Sequence, residues 1–263
     1  MLSITTNEKL VTAAEAGDKD KVLELLASGA DPRSRDSAAL RVAASHGHEE
    51  CVRLLLPVSN PNASTSHVLL APLMEAACAG HVECVRLLLP VSDTKARGSL
   101  ALRVAVQNGH VECARLLLPV SDAAADDSYA LRVAALNGSA ECLTLLLPVS
   151  DAKALGSQAL RLAVGEGHAE CVRMLISVSG PLCEIEGLLD RAMSAGHAKV
   201  AALLIGEEPR LLDGVDLLGR REAAIKNNHG DMASLLLSIE DQKELSNLAP
   251  AQSARGCPRH KSL

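Results

Sequence analysis

Cysteine, histidine and arginine, three residue types suited to metal binding, redox chemistry and anion binding, recur at fixed positions in this sequence. Five of the eight cysteines share one position, namely Cys51, Cys84, Cys113, Cys142 and Cys171. Five histidines recur in the same way, namely His48, His81, His110, His168 and His197. Four arginines form a third row, namely Arg41, Arg103, Arg132 and Arg161. Each row either forms a functional site that extends along the chain or has the same structural role in every repeat.

The cysteine and histidine rows are interpreted as structural. Equivalent positions on stacked helices lie ~8–10 Å apart, which exceeds the ~7 Å Cα separation that a disulfide tolerates. No Cys-x-x-Cys pair accompanies the row, so we expect reduced, buried thiols. Each of the five histidines follows a glycine, which predicts a role at a turn and at the start of a second helix. Neither a metal site nor a cofactor is predicted.

The arginine row leaves two interpretations open. Guanidinium groups suit bidentate contact with carboxylates or phosphates, so the row could bind an anionic ligand. Alternatively, each arginine binds loop carbonyls or acidic side chains of a neighbouring repeat, and Asp93, Asp122 and Asp151 recur with the matching period. The structural role is favoured. No nucleophile with a base, and no phosphate-binding loop, can be assembled from the sequence, so catalytic residues are not predicted.

One repeated sequence element carries these rows. Its anchoring glycines at 80, 109, 138, 167 and 196 are 29 residues apart, and a fixed period of this size is typical of a solenoid. Each repeat predicts a helix, a turn, a second helix and a loop. Serines are expected to cap the first helix, namely Ser37, Ser99, Ser128 and Ser157. Prolines are expected to end the second helix, namely Pro57, Pro90, Pro119 and Pro148.

The Gly-His-x-Glu-x-Val stretch followed by Leu-Leu-Leu resembles the ankyrin repeat, which has a period of ~33 residues and a Thr-Pro-Leu-His opening. Here the opening is Ser-x-Ala-Leu-Arg, as at 128–132, and the loop is about four residues shorter than the ~33-residue family period requires. The resemblance implies an all-α, ankyrin-like helix-turn-helix solenoid with reduced β-hairpin loops. Free-standing arrays of this kind resemble bacterial or viral ankyrin proteins that hold or inhibit another protein.

Four segments are predicted along the chain. Residues 1–36 form an N-terminal capping repeat, and residues 37–205 form central ankyrin-like repeats. Residues 206–240 form a C-terminal capping repeat, and residues 241–263, which are polar and non-periodic, are expected to be a disordered tail. The insertion at 60–67 is a candidate projecting finger.

Positions that differ between repeats are candidates for recognition. In the ankyrin family the positions before the glycine end the inner helix and face the concave surface where partners dock. The resemblance therefore implies a partner-binding strip that includes Ser45, His46, Gln107, Asn108, Leu136, Asn137 and Glu166. Leu100, Tyr129 and Gln158, next to the serines, belong to the same variable set. Leu136 and Tyr129 are the expected anchors.

The ankyrin resemblance, together with the positions that vary between repeats, implies a non-catalytic protein-binding module. The net charge of −6 argues against nucleic acid as the main ligand. No secretory signal and no apolar run of ~18 residues is found, so we expect the chain in the cytoplasm of the producing cell or of a host. We also expect it to be a monomer. The expected partner is another protein, bound by an inhibitor, scaffold or effector. The alternative is a phosphate-bearing ligand, a nucleotide or a nucleic acid, on the arginine row.

Overall fold

The computed structural model describes residues 5–62, 71–181 and 187–253, and within these ranges the regular structure is helical. The helices in the first half are α1 Thr6–Ala16, α2 Lys19–Ala27, α3 Ser34–Ser45, α4 Glu49–Leu55, α5 Pro72–Ala79, α6 Val82–Leu88, α7 Ala96–Gln107 and α8 Val111–Leu117. They continue with α9 Ala125–Leu136, α10 Ala140–Leu146, α11 Ala154–Glu166, α12 Ala169–Ser179, α13 Leu188–Ser194, α14 Ala198–Glu207, α15 Leu217–Lys226 and α16 Gly230–Ser253. The described loops contain no strand, which confirms the predicted all-α class with reduced hairpins.

The chain divides into two compact units, Met1–Ala159 and Leu160–Leu263. In the first unit the odd-numbered helices pack in order from α1 to α9, and the even-numbered helices pack in order from α2 to α10. In the second unit α12 packs on α14, α14 on α16 and α13 on α15. The first unit is therefore two layers of helices, with each helix pair joined by a short turn.

The core is built without large aromatic rings. Leu40, Leu102 and Leu131 occupy one position of the first helices, and each is completely buried. Alanines lie beside them, such as Ala43, Ala76, Ala105 and Ala134, also completely buried. Small side chains let the helices approach closely, and each short helix depends on its neighbours for burial because it is too short to be stable alone.

The chain enters several first helices through a left-handed turn. Asp126, Asp127 and Ser128 have φ of 52°, 55° and 58°, with ψ between 44° and 49°. Ser128 is buried, and its hydroxyl accepts the N–H of Asp151 at 2.8 Å. The corresponding bonds join Ser37 to Asn60 (2.9 Å) and Ser99 to Asp122 (2.7 Å).

The predicted N-cap role of these serines is therefore wrong for Ser37, Ser99 and Ser128. A capping serine has extended backbone and accepts a bond from its own helix. These serines lie in left-handed backbone, and their hydroxyls accept from the loop of the following repeat. The bond joins neighbouring repeats instead of starting one helix.

Helix α16 continues to Ser253 and so covers 241–253, the first part of the segment expected to be a disordered tail. The stretch 238–249 contains neither glycine nor proline and includes the good helix formers Glu, Gln, Lys and Leu. Arg221 and Glu240 also join α15 to α16 through an ion pair of 3.1 Å. Residues 254–263, and most of the candidate finger at 60–67, lie outside the described residues.

Candidate functional site

Two members of the arginine row, Arg103 and Arg132, pack against Tyr129, the single tyrosine of the sequence. The guanidinium carbon of Arg103 lies 4.0 Å from the centre of the Tyr129 ring, and that of Arg132 lies 5.4 Å from it. Arg103 Nη1 contacts Asp126 at 2.5 Å, and Arg132 Nη1 donates to Gln158 Oε1 at 2.6 Å. Cation–π contacts and hydrogen bonds therefore connect α7, α9 and α11 along one line.

Asp93, Asp122 and Asp151 are not the partners of these arginines. Each carboxylate accepts the N–H of the residue two positions later, at 3.1, 3.1 and 2.8 Å respectively, and so closes a loop turn. The predicted pairing with the arginines is wrong, because Arg103 contacts Asp126 and Arg132 donates to Gln158 and to the Asp126 carbonyl instead. The buried Nε atoms of all four arginines of the row, Arg41, Arg103, Arg132 and Arg161, have no hydrogen-bond acceptor among the described residues, and the same is true of Arg221.

The variable residues at the ends of the first helices form a second feature, here called the helix-end strip. It consists of Ser45, His46, Gln107, Asn108, Leu136 and Asn137, all in the first unit. Because α3, α5, α7 and α9 pack in order, the ends of these helices lie in a row. All except Ser45 are exposed, and Leu136 is 38% exposed. The predicted strip is therefore accessible to a partner.

Hydrogen bonds hold several side chains of the helix-end strip in place. Asn108 Nδ2 donates to the Cys78 carbonyl at 3.1 Å, and Asn137 Nδ2 donates to the Gln107 carbonyl at 2.7 Å. The His46 ring stacks on the His48 ring at 6.0 Å between centres. These bonds fix the side chains before any partner arrives.

The other predicted recognition residues lie elsewhere. Leu100, Tyr129 and Gln158 are half-buried, and Tyr129 and Gln158 belong to the arginine row through the contacts given above. Glu166 ends α11 and is exposed, in the second unit. The sequence alone does not predict the contact between Tyr129 and the arginines. Nothing in the linear pattern indicates that a guanidinium group of one repeat covers a ring of the next.

The histidine row packs between repeats. His81 Nε2 donates to the Ser45 carbonyl at 3.0 Å, and a Cβ built on Gly47 would lie 2.5 Å from the His81 ring. The same arrangement joins His48 to the Glu15 carbonyl (2.8 Å) and His197 to the Gly165 carbonyl (2.9 Å). A carbonyl can only accept, so Nε2 carries the proton in each ring. Glycine is needed at Gly47 both for its φ of +75° and for the space that the ring occupies.

The comparisons with known proteins agree with this architecture. A family model described as ankyrin repeats (3 copies) matches residues 10–90 and 69–127. Residues 10–127 therefore match the ankyrin repeat family, and the helix pairs continue beyond them. The solved ankyrin repeat domain of human ASB11 is similar, with a TM-score of 0.66 and 25% sequence identity, and the match covers 76% of this chain and 97% of that one. No curated protein sequence matches this chain.

Ankyrin repeats are generally protein–protein interaction modules, and their fold is typically non-enzymatic. Among the described ankyrin helices, none combines the length and the apolar character that a membrane span needs. The arginine positions replace the histidine of the family's Thr-Pro-Leu-His opening, so the Arg103–Tyr129–Arg132 stack is a departure from the common ankyrin pattern.

The repeated cysteines of the ankyrin second helices are buried free thiols. Burial raises the pKa of Cys84 and of Cys113 to about 11, with a smaller contribution from neighbouring glutamates. Burial also raises the pKa of Cys51, Cys142 and Cys171. Raised pKa values make these thiols poor nucleophiles at neutral pH, as expected of packing residues.

One surface feature of these ankyrin repeats was missed by the sequence reasoning. Four valines that follow the helix-ending prolines are exposed by 36–50%, namely Val58, Val91, Val120 and Val149. The repeated Pro-Val-Ser was the available signal, but it was used only to end the second helix. The valines form a periodic apolar row on the first unit, separate from the residues of the helix-end strip.

Proposed function

We propose that this ankyrin repeat protein binds a partner protein through the helix-end strip, without catalysing a reaction. Leu136 supplies the apolar anchor, and the amides of Gln107, Asn108 and Asn137 supply polar specificity around it. Protein interfaces commonly combine an apolar centre with a polar rim. The role as inhibitor, scaffold or effector depends on what the partner does.

The exposure of Leu136 carries the proposal. This leucine is 38% exposed, whereas the corresponding residues of the two preceding repeats are Cys78 and Gln107. The surrounding framework of buried leucines, cysteines and inter-repeat hydrogen bonds is nearly identical from repeat to repeat. Variation is therefore concentrated at accessible positions on a constant scaffold, as recognition by a repeat array requires.

Tyr129 is not counted as an anchor in this proposal. Its ring lies 4.0 Å from the Arg103 guanidinium carbon, so one face is occupied within the protein. Tyrosine contributes most at an interface when its ring packs against the partner. Its role here is to position Arg103 and Arg132.

The phosphate-binding alternative has weaker support. The arginine row concentrates positive charge around Tyr129, which favours an anion. However, Arg103 already contacts Asp126, and Arg132 already donates to Gln158 and to the Asp126 carbonyl. A phosphate would have to compete with these groups, and its binding would fall steeply with salt.

The test uses the full-length protein as bait in an extract of its native source. Leu136→Asp places a charge at the proposed anchor, and Leu23→Asp is the matched control because Leu23 is 48% exposed on α2. We expect one protein to be captured by the wild type and by Leu23→Asp, with a loss of at least about tenfold for Leu136→Asp. Circular dichroism checks that both variants remain folded.

Two outcomes would contradict the proposal. Capture that survives Leu136→Asp would exclude the helix-end strip as the binding surface. Capture of a nucleotide or nucleic acid that is lost in high salt and in Arg103→Gln would support the phosphate alternative instead, because counterion release makes such binding strongly salt-dependent.

A further inference from the structure

The row of imidazole rings has a gap in the first unit. At Gly17, Gly47 and Gly80, a ring from the next repeat covers the glycine, and a built Cβ would lie 2.5–2.6 Å from it. The next repeat carries Ser139 at the histidine position, and at Gly109 nothing lies within 4 Å of the built Cβ. Gly109 keeps the same left-handed backbone, with a φ of +74°. Gly109 therefore has the backbone conformation and the space that a ring occupies in the other repeats, here called the seat, but no ring lies on it.

A cavity of about 320 Å³ lies at this seat. Its lining includes Gly109, His110, Glu112, Cys113 and Glu141. An imidazole ring with its methylene group is much smaller than this volume, so a side chain can enter together with part of its backbone. The cavity is partly open to solvent, which makes it accessible to a second molecule.

A carbonyl group also indicates which ligand fits. In the preceding repeat the Cys78 carbonyl accepts two donors, Asn108 Nδ2 at 3.1 Å and His110 Nε2 at 3.0 Å. The corresponding carbonyl of Gln107 accepts Asn137 Nδ2 at 2.7 Å. The ring that would supply the second donor is replaced by Ser139. A carbonyl oxygen has two lone pairs, so Gln107 can still accept a ring N–H.

The negative charge of Glu141 beside the cavity favours a ligand that donates hydrogen bonds. In neighbouring second helices a glutamate pairs with an arginine three residues later, as in Glu83–Arg86 (3.3 Å) and Glu112–Arg115 (3.4 Å). In α10 the arginine position is Thr144, whose hydroxyl donates to the Ala140 carbonyl at 2.9 Å. Glu141 therefore lines the cavity without an arginine at that spacing. A carboxylate accepts hydrogen bonds, so it favours a ligand that carries N–H groups.

We propose that the cavity at Gly109 binds the imidazole side chain of a histidine on the partner protein. The ring lies on Gly109 and donates one N–H to the Gln107 carbonyl, as His110 does to Cys78. The partner assignment rests on the proposed function, because the carbonyl proposed to accept the ring N–H belongs to Gln107 and already accepts Asn137, and both residues are part of the helix-end strip. The binding of an imidazole ring at Gly109 does not depend on the identity of the partner.

The direct test is a titration of the full-length protein with imidazole and with N-acetylhistidine methylamide, followed by backbone amide NMR. We expect saturable shifts at Gly109, Gln107 and Ser139. At alkaline pH 1-methylimidazole has no N–H, and we expect it to bind about tenfold more weakly, the cost of one hydrogen bond. Equal binding of the two rings, or shifts elsewhere, would overturn the proposal.

Two variants form a matched pair for the same titration. Ser139→His fills the seat from within, and we expect it to remove imidazole binding and to raise the melting temperature. His110→Ser copies the natural gap one repeat earlier, and we expect it to create a second binding site with shifts at Gly80. Imidazole binding unchanged in Ser139→His would also overturn the proposal.

The outcomes separate this proposal from the proposed function. Leu136→Asp tests the helix-end strip through partner capture and leaves imidazole binding intact if the cavity is a site. Ser139→His tests the cavity, and we expect it to reduce partner capture by about tenfold or more if a partner histidine occupies the seat. Imidazole binding with undiminished capture by Ser139→His would overturn the partner histidine while retaining the site.

Discussion

Each histidine of the inter-repeat row acts together with one glycine of the preceding repeat. The His81 ring occupies the space above Gly47, while Gly109 has the same backbone and no ring above it. Gly47→Ala therefore adds both left-handed strain, of ~1–2 kcal/mol, and a clash that displaces His81. Gly109→Ala adds only the strain. We expect Gly47→Ala to lower the free energy of unfolding by about 1–2 kcal/mol more than Gly109→Ala, because it also breaks the bond to Ser45.

A double-mutant cycle isolates the ring. In a His81→Ala background the space above Gly47 is empty, so the two glycine substitutions should cost the same free energy in urea unfolding. An excess cost for Gly47→Ala that persists in this background would show that the ring is not the cause.

The buried cysteines predict a loss of stability at alkaline pH. Burial raises the pKa of Cys84 and Cys113 to about 11, above the ~8.5 of an unfolded cysteine. The folded state then binds more protons than the unfolded state between these values, so the free energy of unfolding falls as pH rises from about 8.5 to about 11. Urea unfolding across this range should show a shallower decline for Cys84→Ala/Cys113→Ala than for the wild type. An identical slope would contradict this assignment.

At the scale of one secondary-structure element, backbone strain can be tested in the left-handed turn that opens α9. Its middle residue is Asp127, with φ of 55°, whereas the turn that opens α11 has Gly156 at that position, with φ of 65°. Glycine adopts this backbone without the ~1–2 kcal/mol penalty of other residues. We expect Asp127→Gly to raise the free energy of unfolding by about 0.5–1 kcal/mol, since greater flexibility of the unfolded chain offsets part of the gain.

Ser128→Ala is the companion substitution in the same turn. It keeps the left-handed strain and leaves the partly buried N–H of Asp151 without the hydroxyl that accepts it at 2.8 Å. We expect a loss of about 1–3 kcal/mol in urea unfolding. A neutral Ser128→Ala would show that the bond between repeats contributes little.

The sequence was sufficient for the fold because period, glycine position and apolar spacing are local signals. It was not sufficient for the role of Ser128, since three successive non-glycine residues in left-handed backbone contradict local preference and depend on the next repeat for support. The contacts of Tyr129 with Arg103 and Arg132 were not predicted for a related reason, because they join different repeats. The helix over 241–253 was missed because it lacks the repeat pattern on which the prediction was based.

At the scale of the whole molecule, the effect of a destabilising substitution should reach mainly the neighbouring repeats. In the first unit each first helix packs on the helix before it and the helix after it, so local damage reaches adjacent repeats directly and distant ones only weakly. Leu102 on α7 is completely buried, and Leu102→Ala should cost about 2–5 kcal/mol. Hydrogen exchange should then accelerate in α7 and in its neighbours α5 and α9.

The helices α1 and α2 should keep most of their protection against hydrogen exchange in Leu102→Ala, because two repeats separate them from the space left by the leucine side chain. Leu23→Ala is the control, since this leucine is 48% exposed and its removal should leave exchange in α5, α7 and α9 unchanged. Equal acceleration in α1 and α7 would mean that the first unit opens as one cooperative body. In that case substitutions at Leu136 or at the seat at Gly109 would change the stability of the whole first unit. If each repeat instead stabilises only its neighbours, the repeats that bind a partner can vary while the other repeats maintain the fold.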